Sequence, residues 1–264
     1  MKYALIVGAN SGLAQSVINK LKKDYIIFCA DITYTKIEVM DNIHYIPVDV
    51  TNDESLINLH KYVSSVTSKI DVVSNFAGIV TLGSLVELPL DTINRIMNIN
   101  FNSTYKINSL FFPLLKEAKG RIINISSEYA RICGIPFHGY YAISKYAVEI
   151  YNESLRRELL SSGVKVICIR PGAFKTNMQN GIMNQFNKMV DETKMYKEPL
   201  MKMKNIMTDE LDKAKSPDIF GEVYYKILNK KHPKRYYSVN NSFKMKVLSI
   251  LPKWLTDFIF KIYF

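Results

Sequence analysis

The chain has 264 residues, 48% of them hydrophobic, and a formal net charge of +11. This length and apolar content predict one large α/β domain or two small ones, with ample material for a core. No run approaches ~20 apolar residues, which argues against a spanning helix, and the first residues read as a strand and not as a secretory signal. The positive charge is compatible with an anionic cofactor, anionic lipid or nucleic acid and does not choose among them.

The three cysteines argue against a disulfide framework or a metal site. Cys29 and Cys168 lie inside apolar, strand-like runs. We therefore expect buried, reduced thiols in a cytoplasmic protein.

A short apolar run, KYALIV, leads into GANSGLA and then into an amphipathic helix. Gly8 and Gly12 let the backbone turn sharply and approach a phosphate. Asn10 and Ser11 can cap the helix, whose N-terminal amides attract an anion. Between a strand and a helix, this spacing predicts a dinucleotide site.

The next apolar run, YIIFCA, ends at Asp31, nineteen residues after Gly12. An acidic residue there can accept hydrogen bonds from the adenosine ribose and would repel a 2′-phosphate. No Lys or Arg lies beside Asp31 or in the glycine turn. We therefore expect NAD, with NADP the less favoured cofactor; the other interpretation is that Asp31 is an ordinary turn residue.

Short apolar runs alternate with helical patterns along most of the chain, which predicts a doubly wound, mostly parallel sheet of about seven strands with helices on both faces, a three-layer Rossmann fold. The predicted strands are Lys2–Val7, Tyr25–Ala30, His44–Val48, Ile70–Ser74, Arg121–Ile125, Val164–Ile169 and Arg235–Val239. Such sheets bind ligands beyond the carboxyl ends of their strands. Polar or turn residues lie at those ends: Asn10, Asp31, Asp49, Asn75, Ser127 and Pro171-Gly172.

The stretch from Ser126 to Lys145 carries the candidate chemistry. Tyr141 and Lys145 are four residues apart near the start of a predicted helix, which puts both side chains on one face. An ammonium nearby favours a phenolate and should lower the pKa of Tyr141, so that it can exchange a proton with a carbonyl or alcohol oxygen. Ser127 would hold that oxygen.

With these residues in place, the chain resembles the short-chain dehydrogenase/reductase family, in its compact single-domain branch, from about Lys2 to Met178. The matching pieces are GANSGLA at 8–14, Asp49-Val50, NFAG at 75–78, Asn100, Ser127, YAISK at 141–145 and PGAFKT at 171–176. The resemblance implies reversible hydride transfer between a nicotinamide and an alcohol or carbonyl.

By this resemblance, Tyr141 is the acid/base, Lys145 holds the nicotinamide ribose, Ser127 orients the carbonyl oxygen, and Asn100 anchors a water that relays protons. Thr176 would contact the carboxamide. The residues expected around the dinucleotide are Gly8, Asn10, Ser11, Gly12, Leu13, Asp31, Asp49, Val50, Asn75, Ala77, Gly78, Tyr141, Lys145, Pro171, Gly172 and Thr176.

Four departures from the family pattern are visible. Val7 replaces the usual Thr, Ala14 the usual third Gly, and Phe76 the usual second Asn, which weakens the bracing of the cofactor loop. The gap from Ser127 to the acid/base is one residue longer than usual. Tyr140 is therefore an alternative acid/base, but only Tyr141 lies four residues before Lys145.

We expect one domain over 1–264, with residues 173–215 forming a lid over the substrate. Its methionines suit an adaptable apolar pocket, or else fill the core between two lid helices: Met178, Met183, Met189, Met195, Met201, Met203 and Met207. His138 either lines the substrate pocket or is an incidental loop residue.

The predicted tail, residues 240–264, is basic and apolar, and Leu255, Phe258, Ile259 and Ile262 share one helical face near Phe264. It indicates either a peripheral membrane contact or a helix packed on its own domain or across a dimer. No recognition motif supports nucleic acid.

The leading hypothesis is an NAD(H)-dependent oxidoreductase that interconverts a secondary alcohol and a ketone, with a hydrophobic substrate such as a lipid, steroid or retinoid. The alternatives are a nucleotide-sugar-modifying enzyme, whose glycine spacing differs, and a non-catalytic dinucleotide sensor, which would not need Ser127, Tyr141 and Lys145 together. A homodimer or homotetramer is expected from the family.

Overall fold

The computed structural model describes residues 1–131 and 134–262; Phe264, at the end of the predicted tail, lies outside the described residues. Its strands are β1 (Lys2–Val7), β2 (Tyr25–Asp31), β3 (Glu38–Met40), β4 (Ile43–Pro47), β5 (Val72–Asn75), β6 (Arg121–Ile125), β7 (Lys165–Pro171) and β8 (Tyr236–Val239). They form one sheet in the order β3-β4-β2-β1-β5-β6-β7-β8.

The predicted doubly wound, mostly parallel sheet is confirmed, with one strand more than the seven expected. Every neighbouring pair is parallel except β3 with β4. Strand β3 has three residues, all exposed. It lacks the buried side that makes a strand visible in a sequence, and it lies at the sheet edge.

Ten α-helices are described: α1 (Gly12–Leu21), α2 (Asp53–Val66), α3 (Thr92–Met97), α4 (Ser103–Ala118), α5 (Gly139–Glu158), α6 (Asn177–Glu192), α7 (Lys197–Asp212), α8 (Pro217–Leu228), α9 (Phe243–Leu248) and α10 (Lys253–Lys261). The interruption expected near Asn100 is a π-helical turn, Asn98–Asn102, between α3 and α4. A short 3₁₀ turn, Glu128–Arg131, follows β6.

Alternate residues of each strand point into two separate cores, as a pleated strand requires. Along β1, Ala4 and Ile6 pack with helices α1 and α8, whose buried residues include Val17, Leu21, Phe220 and Tyr224. Leu5 and Val7 pack on the opposite face with α2 and α4, through residues including Leu56, Leu59, Ile107 and Phe111. The sheet is therefore covered on both faces and forms the middle of three layers.

Helices α6 and α7 belong to a segment that extends away from the sheet, and the two ends of this segment lie side by side. Phe174 and Lys215 form an isolated parallel bridge. The Lys175 N–H donates to the Lys215 carbonyl at 2.9 Å, and the Lys215 N–H donates to the Ala173 carbonyl at 3.3 Å. The segment predicted as a lid, 173–215, thus leaves and rejoins the domain at one place.

Cys29 and Cys168 are buried and free, as expected from their apolar runs, and burial raises the pKa of each thiol to about 12. None of the helices in the described part of the chain combines the length and apolarity that crossing a membrane requires.

Candidate active site

The turn between β1 and α1 is fixed by its backbone. Gly8 adopts a φ of 76°, and a Cβ there would lie 2.4 Å from the backbone nitrogen of Ala77. Only glycine tolerates both conditions. The Ser11 hydroxyl donates to the Gly8 carbonyl at 2.9 Å and accepts the Ala14 N–H at 3.4 Å. Ser11 is therefore the predicted N-cap, and the first amides of α1 point beyond the strand ends.

Asp31 lies beside this turn, at the end of β2. Its carboxylate accepts the Asn10 backbone N–H at 2.9 Å, and it also accepts the N–H and the hydroxyl of Thr33 at 3.0 and 2.8 Å. The Asn10 side chain reaches the Thr33 hydroxyl at 3.0 Å. These contacts hold the carboxylate in a fixed position at the rim of a cavity.

That cavity, the Asp31 cavity, has a volume of about 320 Å³ and runs along the carboxyl ends of the central strands. Its lining includes seven of the residues expected around the dinucleotide: Gly8, Ser11, Asp31, Asp49, Val50, Ala77 and Gly78. The residues present therefore fit a nucleotide with its phosphates at the α1 amides and a ribose beside Asp31.

Asn75 does not join this lining. Its side chain is buried and donates to the side-chain oxygens of Asn108 and Asn124, both at 2.8 Å. Asn124 in turn donates to Asn152 at 3.0 Å. The expected contribution of Asn75 to the ribose floor is therefore not made by its side chain, which ties β5 to β6 and α4.

Tyr141 and Ser127 meet on the wall of a second cavity, the Tyr141 cavity, with a volume of about 170 Å³. The two side chains are close enough for the Ser127 hydroxyl to lower the pKa of Tyr141. The Tyr129 N–H donates to the Ser127 hydroxyl oxygen at 3.2 Å, which orients that hydroxyl. Leu13, Pro171, Gly172 and Thr176, all expected near the nicotinamide, line the same cavity.

Lys145 is buried one helical turn beyond Tyr141. Its Nζ lies 6.0 Å from the centre of the Tyr141 ring and donates to the Ile125 carbonyl at 3.0 Å. Burial lowers the pKa of Lys145 to about 8. The predicted neighbourhood of the two side chains is present, and the ammonium faces a backbone carbonyl.

The expected direction of the Tyr141 pKa is wrong for this structure. Burial raises the pKa of Tyr141, the nearby Ser127 hydroxyl lowers it, and the charge of Glu128 raises it again. Removing the phenol from water disfavours its charged form, and this desolvation exceeds the opposing effects. The phenol therefore carries its proton at neutral pH.

Asn100 lies in the π-helical turn and connects three parts of the site. Its side chain accepts the Ile79 N–H at 2.8 Å and donates to the Ile79 carbonyl and the Ser144 hydroxyl, each at 2.9 Å. A Cβ on Gly78 would lie 3.2 Å from the Lys145 Nζ and 3.3 Å from the Asn100 Oδ1. Asn100 and Lys145 thus flank one point beside Gly78, and the role of Asn100 in a proton relay stays a prediction.

A buried ion pair fixes the helix that carries Tyr141 and Lys145. Arg170 of β7 donates two hydrogen bonds, both 2.6 Å long, to the Glu149 carboxylate on α5. The Ser126 hydroxyl also reaches Glu149, at 2.9 Å. Such bidentate pairs are geometrically specific, so α5 is held in register against the strand ends.

The far wall of the Tyr141 cavity is apolar and comes from the predicted lid and tail: Met178, Ile182, Met207, Leu211 and Met245. Met189, Met203 and Met207 also pack against a small core around Leu82, Phe137, Phe186 and Leu200. Met207 thus belongs both to the cavity wall and to the edge of this small core, whereas Met195 and Met201 are exposed. The adaptable substrate pocket stays a prediction.

Two polar side chains interrupt this apolar lining. His138 stacks on Tyr129, with ring centres 4.9 Å apart, and burial lowers its pKa to about 4, so the ring is neutral. Glu128 is buried and accepts the Ser242 N–H at 2.8 Å. His138 lines the Tyr141 cavity, and its contact with a substrate there stays a prediction.

The sequence did not indicate Glu128, Tyr129 or Met245 as parts of this site. Glu128 and Tyr129 follow Ser127 directly in the sequence, and this position next to a candidate catalytic residue could have indicated that they belong to the site. Nothing in the sequence indicated that Met245, more than a hundred residues away, would reach the cavity.

Comparisons with known proteins agree with this geometry. A family model described as short chain dehydrogenase matches residues 2–187. An uncharacterized oxidoreductase of Bacillus subtilis, YusZ, is 26% identical over 94% of this chain and 92% of its own. Retinol dehydrogenase 7 of Mus musculus is 28% identical over 97% of this chain and 86% of its own.

Solved structures share the fold. A short-chain dehydrogenase from Streptomyces avermitilis superposes with a TM-score of 0.77 at 18% identity, covering 98% of this chain and 93% of that one. A 3-ketoacyl-(acyl-carrier-protein) reductase from Brucella melitensis complexed with NADH gives a TM-score of 0.72 at 19% identity, covering 90% and 96%.

Proposed function

The chain belongs to the short-chain dehydrogenase family, oxidoreductases that act on CH–OH groups with a nicotinamide dinucleotide, and from that premise we propose that it interconverts a secondary alcohol and a ketone with NAD(H). The observation that carries this proposal is that Tyr141 and Ser127 lie together on the wall of a largely apolar cavity, one helical turn from the buried Lys145.

In the proposed reduction, the Ser127 hydroxyl holds the carbonyl oxygen of the substrate beside the Tyr141 hydroxyl. A nicotinamide, when bound next to Tyr141, would supply the hydride that the carbonyl carbon receives. As negative charge develops on the oxygen, Tyr141 donates its proton to it. The raised pKa of Tyr141 suits this direction, because the phenol is protonated at neutral pH before the substrate binds.

Lys145 has two proposed tasks. Its ammonium holds the ribose next to the nicotinamide, and its charge stabilises the phenolate that remains after proton donation. With a pKa of about 8, Lys145 can also pass on a proton near neutral pH. Asn100 lies on the other side of the space beside Gly78. It would orient a water molecule that returns a proton to Lys145.

We propose NAD as the preferred cofactor because Asp31 lies on the rim of the Asp31 cavity. The 2′-phosphate of NADP would lie beside this carboxylate, and two negative charges in proximity repel each other. The experiment compares kcat/KM for NADH and NADPH. A clear preference for NADPH would contradict the proposal.

A hydrophobic substrate is proposed from the apolar lid side of the Tyr141 cavity, formed by Met178, Ile182, Met207 and Leu211. The name of the Mus musculus relative, retinol dehydrogenase 7, is consistent with an apolar alcohol. The test is a panel of lipid, steroid, retinoid and sugar-like alcohols and ketones, followed by NADH absorbance. Turnover confined to polar, sugar-like compounds would refute the hydrophobic substrate.

A homodimer or homotetramer is also proposed, formed through α4 and α5. Their outward faces expose apolar side chains: Tyr105, Ile143, Tyr146 and Ile150. Exposed apolar patches of this kind favour association. Sedimentation velocity of the wild type and of Ile143→Lys/Ile150→Lys would test it, with a smaller species expected for the variant and an unchanged one contradicting the proposal.

A further inference from the structure

The C-terminal helices expose an apolar surface on the outside of the molecule. Trp254 and Phe258 of α10 and Ile262 directly after it recur every four residues, and they are 71%, 61% and 66% exposed. Residues four apart share one helical face. We call these three residues the tail stripe. The other side of α10 is covered, since Thr256 is buried and Leu255 and Ile259 are half-buried.

Basic residues accompany the tail stripe. Lys246, Lys253 and Lys261 are exposed, and Asp257 is the one acidic residue between 240 and 262. Tryptophan and phenylalanine on an apolar face beside lysines are typical of helices that lie in the headgroup region of a bilayer. The lysine stems can lie along the apolar surface while their ammonium groups reach phosphates.

The positive charge of these lysines favours one kind of binding partner for the tail stripe over another. A second copy of the chain would bring lysines against lysines, and like-charge contacts across an interface are unfavourable. An anionic lipid surface offers an apolar interior for the tail stripe and negative charge for the lysines in one plane.

The inner side of the same segment reaches the candidate active site. The Asn240 side chain donates to the Ala173 carbonyl at 2.6 Å, and the Ser242 N–H donates to the buried Glu128 at 2.8 Å. Met245 of α9 lines the Tyr141 cavity, whereas Phe243 of the same helix is exposed. A helix with its side chains is about 10 Å across, so the cavity wall at Met245 and the outer surface at Phe243 lie about one helix width apart.

We propose that the tail stripe docks on an anionic lipid surface and that docking holds the Tyr141 cavity at that surface. An apolar alcohol or ketone dissolved in the bilayer then enters the cavity beside the tail. This entry step rests on the proposed function, whereas the docking itself does not.

The test uses the full chain, in which Trp254 is the sole tryptophan. Its emission therefore reports on the tail stripe alone. The protein is titrated with vesicles of phosphatidylcholine alone or mixed with phosphatidylglycerol, and bound protein is also measured by co-sedimentation. The expected result is a blue shift of Trp254 emission and co-sedimentation with the anionic vesicles, both much weaker with the neutral ones.

Two variants retain Trp254 and separate the contributions. Phe258→Gln/Ile262→Gln should weaken binding more than about tenfold, because two apolar side chains no longer enter the bilayer. Lys253→Gln/Lys261→Gln should weaken binding to anionic vesicles by about 30-fold. The matched control is Leu90→Gln/Leu160→Gln, which removes two exposed apolar side chains elsewhere on the surface and should bind as the wild type does.

An unchanged Trp254 emission with anionic vesicles would overturn the proposal, as would equal binding by Phe258→Gln/Ile262→Gln and its control. A dimer that this variant abolishes, in a protein that does not bind vesicles, would identify a second copy as the occupant and would also overturn it. These measurements involve no turnover, so failure of the proposed activity would leave the docking result unaffected.

Discussion

Two regions meet at the Tyr141 cavity and are built in different ways. One is formed by the turns at the carboxyl ends of the strands, around Gly8 and Ala77, and we call it the strand-end shell, or shell. The other is the predicted lid with the tail. In the shell, backbone lies against backbone: a Cβ on Gly8 would come within 2.4 Å of the Ala77 nitrogen. In the lid, single side chains make the contacts. Gln185 of α6 donates to the Val80 carbonyl at 3.0 Å and accepts the Leu82 N–H at 3.1 Å.

A second set of side-chain contacts joins the same two segments. The Glu87 carboxylate accepts the Thr193 hydroxyl at 2.7 Å and the Lys194 and Met195 N–H groups at 2.9 and 3.1 Å. Backbone packing tolerates almost no substitution, whereas side-chain contacts can be broken singly. We therefore expect the strand ends around Gly8 to be rigid and the predicted lid to be easier to loosen from the domain.

The largest effect is expected at the point where the two regions meet. Tyr141→Phe should reduce kcat by about 100- to 10,000-fold, because it removes the proton donor without changing the packing. The control is Tyr140→Phe. The Tyr140 hydroxyl donates to the Leu85 carbonyl at 3.3 Å, away from Tyr141 and Ser127, so its loss should leave most of the activity. The steady-state rate of NADH oxidation measures both. A large loss in Tyr140→Phe with activity retained in Tyr141→Phe would reverse the assignment.

The second prediction compares one glycine from each region. Gly8→Ala should lower the free energy of unfolding by at least about 2 kcal/mol, since alanine meets both an unfavourable φ and the Ala77 backbone. Gly181→Ala in α6 should raise it by up to about 1 kcal/mol, since a Cβ there has nothing within 4 Å and alanine favours a helix. Urea denaturation measures both. Similar behaviour of the two variants would show that the regions do not differ as described.

The third prediction concerns His138, which lies between the regions. Its pKa falls from 6.5 to about 4 on folding. Between these values the unfolded chain binds a proton that the folded chain does not, so stability falls as the pH falls from about 6.5 to 4. His138→Gln should remove up to about 3 kcal/mol of this acid-induced loss.

The measurement for His138 is urea denaturation at a series of pH values between 7 and 4. The control is His232→Gln, which changes an exposed histidine. If the wild type and His138→Gln lose stability in parallel over this interval, the neutral, buried state of His138 is not what makes the fold sensitive to acid.

The smallest effect is expected from one lid contact. Gln185→Leu removes two hydrogen bonds to the segment after β5 and should lower the free energy of unfolding by about 1–2 kcal/mol. Because the lid loosens while the shell stays intact, KM for the carbonyl substrate should rise more than kcat falls. Asn184→Leu, an exposed neighbour on the same helix, is the control. A fall in kcat alone would place Gln185 in the chemistry and not in the lid.

Much of the shell could be predicted because its constraints are local. A turn that needs glycine at residue 8, a capping Ser11 and strands with buried alternate residues each leave a mark within a few neighbouring residues. The same holds for Tyr141 and Lys145, since four residues along a helix bring two side chains to one face. These features identified the fold, and with the family resemblance they placed seven predicted residues in the lining of the Asp31 cavity and six in that of the Tyr141 cavity.

Other features depended on which distant segments pack together. Burial sets the direction of the Tyr141 pKa, and that burial comes from elements far apart in the chain. Asn75 turned into the core because Asn108 and Asn124 offered partners there. Met245 reached the cavity because Asn240 and Ser242 bind the strand-end side of the domain. The sequence thus determined the backbone shell and the reactive pair, whereas desolvation and long-range contacts, which exist only in the folded chain, decided how that pair is charged and what encloses it.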